Sequence, residues 1–226
     1  MMEQHTIITI DGPAGVGKST LAKKLGTILN LPYLDTGAMF RKLALQLGNK
    51  AETLPDSILQ EQCKKVTFQL QGVGKNSLLM CNGESIGHEI RSETAGILAA
   101  QLGERTIIRE YLKNIEQQIG NTMSIIAEGR DLGTEVFPKA QFKFFIDANP
   151  IIRAQRRFNQ LKKEGIFQDY NDILHSINYR DKLDKNRTIA PLEPAKDAIL
   201  IDSSIMDIDS ILKIMLNYIT IPHLSQ

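Results

Sequence analysis

The sequence lacks an excess of either charge. Its 226 residues include 27 Lys and Arg against 26 Asp and Glu, which gives a formal net charge of +1. Such a chain has no overall field that would draw it onto nucleic acid or onto a membrane surface. We therefore expect neither partner, and any binding of anions must depend on local clusters of basic residues.

Cysteine is almost absent. Cys63 and Cys81 are the only two, and neither belongs to the Cys-x-x-Cys or Cys/His spacing that metal sites require. We expect two reduced thiols, as in proteins of a reducing compartment, although the two could in principle form one bridge.

Long hydrophobic runs are also missing. No segment approaches the roughly 20 apolar residues of a membrane-spanning helix. The segment 1–5 is polar, and the apolar run behind it is too short for a secretory signal. With 42% hydrophobic residues the chain can still bury a sizeable core. We expect a soluble, cytoplasmic protein built as one domain with insertions.

The apolar residues that are present alternate between strand and helix patterns. The segment 6–10 is rich in β-branched residues and is closed by Gly12 and Pro13, which end a strand and begin a loop. A helical repeat follows at 18–29. This alternation predicts a parallel sheet with helices on both faces. Further strands are predicted at 124–127, 142–146 and 198–201, and further helices at 105–118, 150–164, 170–183 and 207–218.

One stretch departs from this alternation. The segments 66–70, 78–81 and 84–86 read as strands, and Asn82-Gly83 between the last two is a strong hairpin signal. We predict a small antiparallel insertion on the substrate side of the α/β unit.

The loop after the first strand carries a phosphate-binding motif. Residues 12–19 match the Walker A pattern Gly-x-x-x-x-Gly-Lys-Ser between a strand and a helix. Its backbone N–H groups would surround a β-phosphate, Lys18 would reach the β- and γ-phosphates, and Ser19 would ligate Mg²⁺. The alternative is a tight turn whose glycines only allow close packing. The residues expected to hold the nucleoside triphosphate are Gly12, Pro13, Ala14, Gly15, Val16, Gly17, Lys18, Ser19 and Thr20.

The Walker loop alone does not separate an enzyme from a nucleotide-dependent switch, since GTPases and ATPase motors carry it too. A GTPase should also contain Asn-Lys-x-Asp after a strand. The nearest match, at 181–184, has Asp in the first position and lies in a helical pattern. A kinase is favoured, and a switch remains the alternative.

A second anion site is predicted at 34–41. Backbone donors at Thr36 and Gly37 and the guanidinium of Arg41 could converge on one phosphate, which arginine forks suit. The alternative is that Asp35 or Thr36 caps a helix while Arg41 is solvated.

A third charged segment, 128–131, follows the predicted strand 124–127. Open α/β sheets bind ligands at the carboxyl ends of their strands, which favours a binding role for Arg130 and Asp131. The alternative is an ion pair in a surface loop.

Arginines are concentrated between 153 and 187. Arg153, Arg156 and Arg157 fall on one predicted helix, and the next carries Arg180 with Asp184 on one face. Singly these would be solvated helix faces. Together they are typical of a lid that closes over phosphates and excludes water.

Four motifs, at 11–20, 35–41, 128–134 and 180–187, resemble those of bacterial cytidylate kinases, a family of P-loop nucleoside monophosphate kinases. The resemblance covers nearly the whole chain. It implies an α/β, three-layer P-loop fold with a central parallel five-stranded sheet, an inserted monophosphate-binding subdomain and a helical lid. In the single domain 1–226, the core would take 1–37, 120–150 and 190–226, the monophosphate-binding region 38–119 with its insert at 64–88, and the lid 151–189.

The same resemblance implies the reaction. ATP, with Mg²⁺, would phosphorylate CMP and dCMP to CDP and dCDP in pyrimidine nucleotide metabolism, and the enzyme would be a cytoplasmic monomer whose partners are small-molecule nucleotides. A kinase that prefers another acceptor such as UMP, or a switch with no small acceptor, is the alternative.

Residue roles also follow from the resemblance. The acceptor phosphate would lie on Arg41, Arg130 and Arg187. The ribose would meet Arg180 and Asp184, and the cytosine Arg109 and Asp131 with Thr36 nearby. The catalytic residues would be Lys18, Arg130, Arg153, Arg157 and Arg187. The residues that bind CMP would be Asp35, Thr36, Gly37, Arg41, Arg109, Arg130, Asp131, Arg180, Asp184 and Arg187.

Two positions depart from the family pattern. Phe40 stands where the family often has Tyr, a loss of one hydroxyl. Ala100 stands where the family usually has Ser, nine residues before the base-contacting Arg109. Because Ala cannot hydrogen-bond a base, we expect weaker discrimination in favour of cytosine.

Overall fold

The computed structural model describes residues 5–48 and 51–219, and its centre is a parallel sheet of five strands in the order β2-β6-β1-β7-β8. The predicted α/β fold with a five-stranded parallel sheet is confirmed, with strand ends shifted by one or two residues. The strands are β1 Ile7–Asp11, β2 Tyr33–Asp35, β6 Ile125–Gly129, β7 Phe142–Asp147 and β8 Ile199–Asp202.

The central strands are apolar because both faces of the sheet are covered. Ile8 and Ile126 face one core with the helices α1 (Lys18–Leu29) and α8 (Ile208–Tyr218). Ile125 faces the other core, to which α2 (Thr36–Leu47) and α5 (Thr106–Thr122) contribute. The result is the expected three layers.

The register of two neighbouring strands bears on the site. β1 lies between β6 and β7, and its last residue, Asp11, is paired with Gly129 at the end of β6. The loops that follow these residues therefore leave the sheet side by side.

A second sheet is antiparallel, with strands β3 (Phe68–Gln71), β4 (Leu78–Cys81) and β5 (Glu84–Ser85). Asn82 and Gly83 both have positive φ, at 51° and 83°, and they turn the chain between β4 and β5. This conformation is the two-residue hairpin turn that Asn-Gly favours. The predicted hairpin is confirmed.

Helix α3 (Asp56–Cys63) was not predicted. Of its residues only Leu59 and Cys63 are buried, and Ile58 is exposed. Two inward side chains in eight residues are too few to establish a helical period in the sequence.

Both cysteines, Cys63 and Cys81, are buried and unbridged, and burial raises the pKa of the Cys63 thiol to about 11.

The arginine-rich region folds as two helices, α6 (Pro150–Lys163) and α7 (Tyr170–Asn186). They share a small apolar core that includes Ala154, Leu161 and Ile177. None of the helices in the described ranges is long and apolar enough to cross a membrane.

Candidate active site

A cavity of about 720 Å³ opens at the carboxyl ends of β1, β2 and β6. Its far walls are α4 (Glu93–Leu102) and the helices α6 and α7. This is the edge of the sheet at which open α/β folds bind ligands. The predicted site residues that line it are Ala14, Gly15, Val16, Gly17, Lys18, Ser19, Thr20, Asp35, Thr36, Gly37, Arg41, Arg109, Arg130, Asp131, Arg157, Arg180, Asp184 and Arg187.

The Walker loop depends on glycine at its first position. Gly12 has φ 144°, and a Cβ atom there would lie 2.0 Å from the backbone oxygen of Ile146 in β7. No other residue fits this approach. Gly12 and Pro13 do not line the cavity themselves, and they hold the loop against the sheet.

Lys18 lies under the Walker loop. Its Nζ donates to the backbone oxygens of Gly12 and Pro13, both at 2.8 Å. Burial, and then the neighbouring Arg130, lower the pKa of Lys18 well below its ordinary value. A polyanion at this point would stabilise the charged form, because it supplies the countercharge that the buried ammonium lacks.

Ser19 and Glu128 form a pair suited to a hard cation. The Ser19 hydroxyl donates to Glu128 Oε2 at 3.0 Å, while the buried Oε1 has no hydrogen-bond partner among the described residues. Burial, and then Asp35, raise the pKa of Glu128 to about 7. Mg²⁺ binds through few protein oxygens together with waters and phosphates. These oxygens therefore fit Mg²⁺ held jointly with a nucleotide.

The sequence allowed two interpretations of the segment at the start of α2, a helix cap or a binding role for Arg41, and the structure has features of both. Asp35 Oδ1 accepts from the backbone N–H of Ala38 at 2.9 Å and caps the helix. Arg41 is nevertheless not solvated, because it faces the cavity and donates to the backbone oxygen of Ile90 at 3.3 Å. Burial lowers the pKa of Arg41. A helix cap and a cavity-facing arginine thus occur in the same segment.

The arginines at the end of the cavity away from the Walker loop are held by two buried carboxylates. Asp131 accepts from Arg109 and, at 3.2 Å, from Arg187 Nη2. Asp184 accepts from Arg130 Nε at 2.9 Å and lies 3.6 Å from Arg187 Nη1. Burial alone would raise the pKa of Asp184, but the arginines lower it overall. Asp184 is therefore ionised at neutral pH, and the contacts of the two carboxylates fix the guanidinium orientations.

Arg180 faces the cavity with unused donor capacity. Its Nε is buried and has no hydrogen-bond partner in the described part of the chain. Burial, and then Arg41 and Arg130, lower the pKa of Arg180 to about 10. A buried donor without a partner is costly in the free protein and would be satisfied by an oxygen-rich ligand.

The structure corrects the role expected for Arg153. Its side chain is 1% exposed and does not line the cavity. The guanidinium donates to both oxygens of Asp181 on α7 and, at 3.0 Å, to the backbone oxygen of Ala14 in the Walker loop. With its donors used in this way, Arg153 braces the Walker loop from outside the cavity.

Arg156, which the sequence reasoning left without a role, lines the cavity instead. It donates to the hydroxyl and backbone oxygens of Ser203, and so orders the segment after β8. That segment places Met206 and Ile208 beside the Walker loop, where a Cβ atom on Gly17 would lie 3.0 Å from Ile208 Cδ1. This corner offers apolar surface for a flat ring. No motif marked it in the sequence.

Near Asp131 and Arg109 lies a further buried carboxyl, Glu116 on α5. Its Oε1 has no hydrogen-bond partner among the described residues. Burial, and then the negative charge of Asp131, raise the pKa of Glu116 from 4.5 to about 8. The folded protein therefore keeps this carboxyl protonated at neutral pH, whereas the unfolded chain ionises it.

Glu116→Gln is expected to stabilise the protein more as the pH rises. Between pH 4.5 and about 8 the folded state binds more protons at this site than the unfolded state. The wild type therefore loses the stability that this site contributes as the pH rises through that range. The variant never ionises. At pH 8.5 its free energy of unfolding should exceed that of the wild type by about 5 kcal/mol, at about 1.36 kcal/mol for each pH unit between 4.5 and about 8.

Urea unfolding at pH 5 and pH 8.5 measures this difference. Glu110→Gln, an exposed position on the same helix, is the control and should show no change with pH. The same stability difference at both pH values in Glu116→Gln would contradict the assignment.

The sequence is similar to known proteins over nearly its whole length. A family model described as cytidylate kinase matches residues 8–221. A cytidylate kinase from Nitratidesulfovibrio vulgaris is 45% identical over 213 residues, which cover 94% of this chain and 92% of that protein. One from Maridesulfovibrio salexigens is 47% identical over 210 residues, covering 93% and 94%. One from Oleidesulfovibrio alaskensis is 42% identical over 210 residues, covering 93% and 96%.

Proposed function

Since the chain belongs to the cytidylate kinase family, we propose that it transfers the γ-phosphoryl group of ATP to CMP and dCMP, giving ADP with CDP or dCDP. The observation that carries this proposal is a single continuous cavity with the Walker loop at one end and a cluster of arginines at the other. A phosphoryl donor and an anionic acceptor can both be bound there.

The donor triphosphate would occupy the Walker loop. Its β- and γ-phosphates meet Lys18 and the backbone N–H groups at the start of α1, where the helix dipole also favours negative charge. The apolar corner formed by Met206 and Ile208 lies next to the same loop and suits the adenine ring.

The acceptor would occupy the opposite end. Its phosphate would lie among Arg41, Arg130 and Arg187, of which the buried carboxylates hold the last two in place. Arg180 lines the cavity and its Nε has no partner among the described residues, so a ribose hydroxyl would accept a hydrogen bond from this side chain. This supports an acceptor that carries a sugar.

The base would lie against Arg109 and Asp131. Arg109 is positioned by its ion pair with Asp131 and by the ring of Phe40, whose centroid is 5.7 Å from the guanidinium carbon. Together the pair offers donors and acceptors in one plane, as recognition of a cytosine edge requires.

Catalysis would then depend on positioning and on charge neutralisation. Phosphoryl transfer passes through a loose transition state whose charge is spread over the equatorial oxygens. Lys18 stabilises that charge from the loop, and Arg157 does so from α6. No general base is needed, because the acceptor phosphate is already an anion at neutral pH. A bound Mg²⁺, held through Ser19 and Glu128, would neutralise charge on the β- and γ-oxygens.

The regional organisation belongs to the same proposal. The region 38–119 would bind the monophosphate, and 151–189 would act as a lid that closes over both nucleotides. The enzyme would work as a cytoplasmic monomer. The resemblance to the family and the facing of these two regions across one cavity support this division.

An assay of ADP release tests the proposal with CMP, dCMP, UMP, AMP and no acceptor. We expect turnover with CMP and dCMP that exceeds the rate without acceptor at least a hundredfold. Faster turnover with UMP would change the acceptor assignment. Equal rates with and without acceptor would replace the kinase by a nucleotide-dependent switch.

Ala100→Ser should sharpen the choice of base. Ala100 lines the cavity on α4, on the same wall as Gly103 and Arg109, so a hydroxyl there can reach the base. One added hydrogen bond contributes about 0.5 to 1.5 kcal/mol, and the ratio of kcat/KM for CMP over UMP should rise roughly two- to tenfold. Gln101→Ser, the next position along the same helix and outside the cavity lining, is the control. An unchanged ratio in Ala100→Ser would contradict the prediction.

A further inference from the structure

Glu93, the first residue of α4, connects the acceptor wall to both lid helices. Ser92 caps the helix by accepting from the backbone N–H of Ala95 at 3.1 Å, so the position of Glu93 is set by the helix itself. Its carboxylate lines the cavity. Neither the sequence motifs nor the roles described above use it.

Three side chains from two other helices converge on this carboxylate. Arg157 of α6 donates from Nε to Oε1 at 2.9 Å. From α7, Ser176 donates to Oε2 at 3.2 Å, and Arg180 Nη1 lies 3.8 Å from the same oxygen. One acidic group therefore orients one arginine of each lid helix.

The contact of Glu93 differs from an ordinary surface ion pair. The side chains of Glu93 and Arg157 are 21% and 20% exposed. Four residues before Glu93, Glu89 pairs with Lys42 at 2.9 Å, and its side chain is 48% exposed. Exposed ion pairs such as that of Lys42 with Glu89 contribute little to stability. A partly buried carboxylate with three partners constrains guanidinium geometry far more strongly.

The helix that carries Glu93 also packs closely on the second arginine. A Cβ atom on Gly96, one turn further along α4, would lie 3.1 Å from Arg180 Nη1. Arg180 is thus confined between the carboxylate and the glycine. Its Nη1 lies close to both, while its Nε has no hydrogen-bond partner among the described residues.

We propose that Glu93 is a positioning residue for phosphoryl transfer, which orients Arg157 towards the donor phosphates and Arg180 towards the acceptor. This inference rests on the proposed kinase function. It predicts that Glu93 acts through the arginines. Its removal should therefore slow the transfer step and leave ground-state binding of ATP nearly unchanged.

Steady-state kinetics of Glu93→Ala and Glu93→Gln test the inference. Glu93→Ala should lower kcat about tenfold to a hundredfold, the range typical of a residue that orients a functional group. Glu93→Gln keeps the shape and an acceptor oxygen, so it should retain more activity than Glu93→Ala. The KM for ATP should change less than threefold in both. Glu89→Ala is the matched control and should match the wild type.

A double-mutant cycle separates positioning from a general effect on stability. If Glu93 acts through Arg157 and Arg180, Glu93→Ala should lower kcat less in the Arg157→Ala background than in the wild type, and should have no further effect once Arg180→Ala is added. Additive losses would overturn the inference, as would wild-type kcat in Glu93→Ala. A wild type that shows no CMP-dependent ADP release would instead overturn the proposed function, so the two failures are distinguishable.

Discussion

Lys18→Ala is expected to lower kcat for ADP release in the presence of CMP by about a thousandfold, the upper range for removing one preorganised electrostatic group. The ammonium is buried and is oriented by two backbone oxygens of the Walker loop at 2.8 Å, so it needs no rearrangement to meet a phosphoryl group. Single-turnover measurements at saturating ATP and CMP would assign the loss to the transfer step.

Lys24→Ala provides the control for this experiment. Lys24 lies on the same helix, but its side chain is exposed and pairs with Asp209 at the surface. Its removal should leave kcat within about twofold of the wild type, since exposed ion pairs contribute little. Near-normal turnover in Lys18→Ala would contradict the role assigned to the Walker loop.

Arg130→Ala should reduce kcat/KM for CMP by about a thousandfold while the KM for ATP changes little. Arg130 follows β6 directly and is held by Asp184 at 2.9 Å, which would aim its fork at the proposed site of the acceptor phosphate. Loss of a charge-assisted, oriented contact to a phosphate removes several kcal/mol of binding in a buried site. The comparison of acceptor and donor kinetics locates the effect at one end of the cavity.

Two further variants make the Arg130 experiment decisive. Removing Arg130 leaves Asp184 partly uncompensated, and breaking a buried pair is itself destabilising. Arg130→Lys keeps the charge but loses the fork, so it should fold normally and still lose most acceptor affinity. Arg105→Ala removes an arginine outside the cavity that bonds Leu54 and Asp56, and it should leave kcat/KM unchanged. Equal losses for ATP and CMP would contradict the acceptor assignment.

The parts of the site predicted from the sequence are those set by short segments. The Walker loop, the cap at Asp35 and the hairpin at Asn82 each depend on a few consecutive residues, and the structure contains all three. Backbone conformation at these points follows from local chemistry, chiefly glycine at positive φ and a side chain that caps a helix.

The parts that could not be predicted depend on partners far away in the chain. Helical spacing placed Arg153, Arg156 and Arg157 on one helix. It does not show that the guanidinium of Arg153 donates to Asp181, 28 residues away. In the same way Glu93 meets Arg157 across 64 residues and Ser176 across 83. Such pairings are set by how the helices pack, and no local pattern in the sequence carries that information.

The pairing of Asp11 with Gly129 has a consequence for how acceptor choice can change. The donor loop begins one residue after Asp11 and the acceptor arginine follows Gly129, while neighbouring strands lie about 4.8 Å apart. Asp11 also accepts from the backbone N–H groups of Leu132 and Gly133, at 3.0 and 2.8 Å, which ties the second loop to the first. In the proposed reaction, the separation between the two reacting groups would therefore be set by the backbone of the sheet. Substitutions on α4 can alter which base is accepted without changing the distance over which the phosphoryl group moves.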